Sequence, residues 1–187
     1  EFHHAAMWGG YRIDGLDLGN DFDAFSNIFL GRGGGATVSD QLNKQGNHML
    51  SQLLCLTAKG EDWKVDLYWQ DFQEDGGINF IGCRANSKDG RWGISALQNH
   101  WPFISGITFE IIQTTEQSGP WHDRDGMVFG GNDSYYSNSS YPQGWTYFGQ
   151  SICSPLLLPT NSRVWAYHAG IKGDIYGFKY RALCTYT

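Results

Sequence analysis

The side chains best suited to chemistry fall into three sets: paired carboxylates, a run of aspartates, and aromatic residues in a polar loop. Glu61-Asp62 and Glu74-Asp75 are adjacent acids of the kind a glycoside hydrolase uses, one as proton donor and one as nucleophile or base. Both pairs sit in apparent turns, where solvated acids are ordinary, so a glycan-active hydrolase is the alternative rather than the leading reading. His122-Asp123 has the composition of a base with its orienting acid, but neighbours on a strand point to opposite faces. The six histidines (3, 4, 48, 100, 122 and 168) are otherwise scattered, and no G-x-S-x-G is present. Gly31 to Ala36 lacks the G-K-[ST] ending of a phosphate-cradling loop and reads as a flexible turn. The expectation is a protein that is not an enzyme and carries no organic cofactor.

Asp17, Asp21 and Asp23, with Asp14 and Asn20 close by, form a candidate calcium site, because clustered carboxylates suit hard cations. Their spacing is not that of an EF-hand loop, and the plainer reading of Tyr11 to Phe29 is a solvated strand face. The binding candidates are aromatic. Trp and Tyr offer flat apolar faces with a polar edge, suited to stacking on sugar rings. Gly130 to Gly144 is the longest polar loop and the best candidate for an exposed recognition surface. In and beside it, Tyr135, Tyr136, Tyr141 and Trp145 are the candidate ligand contacts, while Trp101 and Trp121 lie in other loops. Asn132 and Asn138 open two glycosylation sequons in the same stretch.

The elements that must position these groups read as strands. The chain has 187 residues, 25 Gly, 16% aromatic residues and 17% charged residues. A length of this order suits one domain with a substantial core, here 1–187. Gly77 to Leu97 reads as two short strands around a polar loop, and weaker echoes follow at 60–67, 122–129 and 173–180. Trp63, Val65, Leu67 and Trp69 alternate cleanly, as do Ile107, Phe109 and Ile111. Met49 to Leu56 reads as a buried strand. Trp63, Trp92 and Phe178, on clean alternation, are assigned to the core. Val164 to His168 and Tyr176 to Cys184 read as paired strands. The fold class is therefore all-β: a single domain of repeated antiparallel β units with pseudo-symmetry, and residues 1–10 as a partly ordered arm.

Four cysteines allow three pairings. Cys153 with Cys184 would staple the first and last strands of the final unit, which leaves Cys55 with Cys83. Disulfides and sequons together suit a secreted, extracellular protein. The net charge of −6 does not favour nucleic acid as a partner, and no apolar run is long enough to span a bilayer. Glycine-rich turns and exposed aromatics also suit a homo-oligomer or larger assembly.

Asn20-Asp21-Phe22-Asp23 is similar to the N-D-F-D that opens a unit in the dermatopontin family of extracellular matrix proteins. Lys88-Asp89-Gly90-Arg91-Trp92-Gly93-Ile94 resembles that family's D-R-x-W-x-F element with a glycine inserted. Phe148 to Cys184 is similar in its order of cysteine, strand, loop, aromatic strand and closing cysteine. The resemblance implies a secreted, non-enzymatic protein that binds glycans or matrix partners, with shell or mineral association and agglutination among its invertebrate relatives. A defence lectin or toxin component is the alternative within binding. The acidic balance fits calcium, mineral, neutral sugars or another protein better than sulphated polysaccharide.

Overall fold

A computed structural model of the chain describes residues 1–42, 44–73, 89–115, 122–124, 127–129, 137–147, 150–152 and 161–187. Its centre is a seven-stranded antiparallel sheet. In chain order the elements are β1 (Phe2–Met7), α1 (Phe22–Leu30), α2 (Val38–Leu42), β2 (Asn47–Lys59), β3 (Trp63–Gln73), β4 (Gly90–Gln98) and a 3-10 turn (Pro102–Ile104). After these come β5 (Gly106–Gln113), β6 (His122–Arg124), β7 (Met127–Phe129), β8 (Thr146–Tyr147), β9 (Gln150–Ser151), β10 (Trp165–Ile175) and β11 (Phe178–Tyr186). The main sheet runs β1-β2-β3-β4-β5-β10-β11, and β6-β7 and β8-β9 are separate two-stranded ribbons. The all-β expectation holds. The alternating segments at 49–56, 63–69 and 107–111 lie in β2, β3 and β5. The two final segments pair as β10 and β11, with Ala169 opposite Cys184.

Three parts differ from the sequence reading. Residues 1–10 supply the edge strand β1, paired with β2 from Phe2↔Gln52 to Met7↔Asn47. His4 stacks on His48 at 5.2 Å between ring centroids, and their ring nitrogens lie 2.9 Å apart, which ties that edge down. The acidic stretch before Phe29 is partly a helix. Asp21 caps α1 by accepting from the Ala24 amide at 2.8 Å, and Ala24 and Ile28 turn inward. The echoed units mark hairpins: 60–67 turns β2 into β3, and 173–180 turns β10 into β11. Residues 74–88, at the heart of the Gly77–Leu97 unit, lie outside the described residues.

Because the register is unbroken across strands, residues abreast of one another share a face. One row holds Leu54, Trp69, Trp92, Ile111, Tyr167 and Tyr186. Two residues along lies Leu56, Leu67, Ile94, Phe109, Ala169 and Cys184, and the next row runs from Ala58 to Ala182. None of these residues is charged. The row between, Cys55, Tyr68, Gly93, Glu110, His168 and Thr185, looks the other way and is polar.

The connections 8–46, 74–89 and 114–164 all leave one end of the sheet, and the packed core sits there. Leu18, Ala24, Ile28, Leu50, Trp69, Val164 and Ala166 are buried beside Asp71, Asp89, Gln113 and Thr114. The Thr114 hydroxyl donates to Ser162 O at 2.7 Å and accepts from the Val164 amide at 3.0 Å, and Asp71 accepts from the Gln52 amide at 2.8 Å. Toward the other end the three hairpins continue as a single layer. That overturns the core assignment of Trp63, Trp92 and Phe178, which are 49%, 47% and 81% exposed. Alternation assigns a side, not a covering layer.

The expected disulfide staple is not part of the described sheet. Cys55 and Cys184 are free, exposed thiols, and Cys83 and Cys153 lie outside the described residues. Cys55 on β2 and Cys184 on β11 are five strand spacings apart, roughly 24 Å, far beyond disulfide reach.

The polar face has its own lock. A Cβ on Gly93 would come within 2.2 Å of the Tyr68 ring, so Tyr68 lies across the glycine and donates to Glu110 at 2.6 Å. Arg91 sits 3.4 Å from Glu110 and 5.4 Å from the Tyr68 ring centre. Burial first, and the Glu110 hydrogen bond second, push the Tyr68 hydroxyl above its ordinary pKa. Gly93→Ala is expected to cost about 1–2 kcal/mol by displacing Tyr68 from Glu110. The same change in a Tyr68→Ala background should be close to neutral. Urea midpoints of the two singles and the double give the coupling, and additive costs would contradict this geometry.

Candidate functional site

The aromatic loop divides. Tyr135, Tyr136 and Asn132 lie outside the described residues. Tyr141 and Trp145 are described and half-buried, in a segment sewn onto the N-terminal part of the chain. The Tyr141 hydroxyl donates to Gly9 O at 3.2 Å, and the Trp145 indole nitrogen is buried without a hydrogen-bond partner. The Ser140 hydroxyl donates to Asp40 at 2.7 Å. Asn138 accepts from the Ser140 and Tyr141 amides at 3.0 and 2.8 Å and donates its side-chain amide to Gly46 O at 3.1 Å. A glycan on Asn138 would have to displace that last bond. The local pattern is an Asx turn, in which a short amide side chain substitutes for backbone partners. The polar groups of Tyr141 and Asn138 are thus engaged within the fold.

The proposed calcium ligands are each engaged in their own turn. Asp17 accepts from the Gly19 amide at 2.9 Å, Asp21 caps α1, and Asp23 lies in the helix's first turn, where acids suit the dipole. The hydrogen bond from Arg12 holds Asp14 down at about 2. Among the described residues no group of three or more His, Cys, Asp or Glu side chains is arranged to hold a metal ion. Glu61 and Asp62 are both exposed at the β2–β3 turn, and Glu74 and Asp75 lie outside the described residues. No helix among the described residues is long and apolar enough to cross a membrane.

The structure assembles a different site at the tip of the sheet, from the β4–β5 connection and the β10–β11 hairpin. A cavity of about 440 Å³ is lined there by Asn99, Trp101, Lys172, Asp174, Lys179 and Arg181, among others. Its volume is within the usual range for ligand sites. The Gln98 side chain fixes the connection, accepting from the Trp101 amide at 2.8 Å and donating to Trp101 O at 2.7 Å. Tyr180 donates to Phe103 O at 2.5 Å and pins it to the hairpin. A Cβ on Gly173 would stand 2.0 Å from that Phe103 carbonyl oxygen, so only glycine lets the connection pass this close. The result is a fixed Trp101, 66% exposed, beside three cations and one carboxylate. Sequence reasoning placed Trp101 in a loop but had no signal for its companions, which lie about seventy residues further along the chain.

No protein-family model, curated protein or solved structure matches the chain.

Burial, reinforced by the Asp40 carboxylate, pushes the Tyr141 hydroxyl up to about 12. A raised tyrosine pKa stabilises the fold below the unfolded value near 10, and that contribution is lost as pH rises toward 12. Tyr141→Phe should therefore be less stable than the wild type at neutral pH, for want of the bond to Gly9. The gap should narrow between pH 10 and 12. Denaturant midpoints across that window measure it, and a gap that stays constant would contradict the burial of the hydroxyl.

Proposed function

We propose that this chain is a secreted, non-enzymatic structural or binding protein of extracellular matrix or biomineral, and that it takes a glycan at the tip of its sheet. The observation that carries the reading is the Trp101 platform held beside Asn99, Lys172, Lys179 and Arg181. A flat indole stacks on the apolar face of a sugar ring, and amide and cationic donors around it fix hydroxyl and acidic groups. This is also the role that the resemblance to the dermatopontin family implies.

Local charge selects the sugar. The whole chain carries −6, but the cavity lining sets Lys172, Lys179 and Arg181 against the carboxylate of Asp174. Asp62 adjoins it, its backbone carbonyl accepting from the Asn99 amide at 2.9 Å. Local potential, not net charge, governs an approaching ligand inside about one Debye length, ~8–10 Å at physiological salt. The favoured ligand therefore bears carboxylate or sulphate groups, contrary to what the overall acidity suggests.

A glycan array with neutral, uronic and sulphated arms, run with calcium and again with chelator, tests the reading. Binding to acidic glycans is expected in both conditions and should weaken as salt rises. Trp101→Ala should weaken it by about tenfold or more, and Arg181→Gln should reduce the salt dependence. Binding untouched by Trp101→Ala would move the site elsewhere. Release of reducing ends from a bound oligosaccharide would make the protein an enzyme and defeat the proposal.

A further inference from the structure

A stable domain packs at least two layers around an apolar core, because a sheet with one apolar face must bury that face. The projecting part of this sheet supplies one layer. Across three successive rows its apolar face carries no charge, and the solvent-facing Leu, Ile, Phe and Trp side chains there are 43–65% exposed. Taking ~200 Å² for a large side chain in the open, these side chains offer on the order of 700 Å² of apolar surface. That is above the ~300–600 Å² of the largest patch on a typical monomer. It approaches the ~800 Å² that each partner contributes to a standard interface.

We propose that the occupant of this face is a second copy of the chain, packed sheet on sheet to form a two-layer sandwich. An isologous pair brings the same patch to itself, so the patch must be self-complementary, and an uncharged face meets its copy without repulsion despite the net charge of −6 on each chain. The two sheets would lie about 10 Å apart with strands crossing near −30°, as aligned sheets do. Lipid fits less well. The sheet is open at β1 and β11, and the outward backbone groups of open edges have no partner in hydrocarbon. The opposite face, one pleat away, carries Glu110, Asp66, Lys64 and Arg91.

The test is a pair of substitutions one residue apart, since pleating sends neighbours to opposite faces. Molar mass by light scattering or sedimentation, followed over roughly a hundredfold in concentration, should rise from the 21.0 kDa chain to twice that value. Ile94→Lys, on the apolar face, should remain monomeric throughout, and Ser95→Lys, on the polar face, should dimerise like the wild type. If Ile94→Lys proves unstable by circular dichroism, Leu56→Lys gives the same readout at a side chain already 65% exposed. The inference is independent of the glycan reading, because the monomeric variants keep Trp101 and should still bind glycan. A wild type that is monomeric at every concentration would overturn it. So would a dimer that survives Ile94→Lys and Leu56→Lys, open-ended growth through the edges, or partition of the monomer onto neutral lipid vesicles.

Discussion

Strands alternate their side chains, so the register between them decides whether an apolar residue in one strand meets another in the next. In this protein β2, β3, β4, β5, β10 and β11 pair without a slipped position, from Leu54 and Trp69 across to Tyr167 and Tyr186. A slip of one residue in any strand would put its apolar set among charges such as Glu110 and Asp66. The rest of the architecture depends on this register. It gathers the apolar side chains on one face, leaves the polar face to the Tyr68–Glu110–Arg91 cluster, and carries both faces away from the core as one layer.

The two ends of the sheet do different work. At the packed end, buried polar groups set the geometry as much as apolar ones: Thr114 joins β5 to the segment before β10, and Asp71 accepts from the Gln52 amide on the neighbouring strand. Thr114 and Asp71 are both satisfied in this way, which is what makes burying them tolerable. At the tip there is little to bury, and the connections are fixed instead by single contacts of high specificity. Gln98 ties the loop that carries Trp101, and Gly173 admits the Phe103 carbonyl against β10. These contacts fix the backbone of the loop that carries Trp101 and leave its indole exposed, without a surrounding core.

The strands were legible in the sequence because period-two alternation is a local signal, and it located β2, β3, β5, β10 and β11. It was silent on whether Trp63 and Trp92 face a second layer, since that depends on what covers the sheet. The helix α1 had its own signs, with Phe22, Phe25 and Phe29 at helical spacing and Asp21 as cap, but the surrounding aspartates were weighed as ligands or a solvated strand face. The loop around Tyr141 carries the composition of a binding surface, and only the tertiary contacts of Tyr141 with Gly9, Ser140 with Asp40 and Asn138 with Gly46 show how it is tied into the fold. The tip cavity was out of reach. Its cations come from a hairpin separated from Trp101 by the long excursion between β5 and β10, and nothing short-range links them.

The central claim is that the apolar rows form one surface that association buries whole. Hydroxyl-radical footprinting at low and high protein concentration reads this directly, side chain by side chain. The account predicts that Leu56, Trp92 and Ile94 become protected together as concentration rises, while Tyr68 and His168 on the opposite face react at an unchanged rate. Equal protection of both faces, or none on the apolar rows, would contradict it.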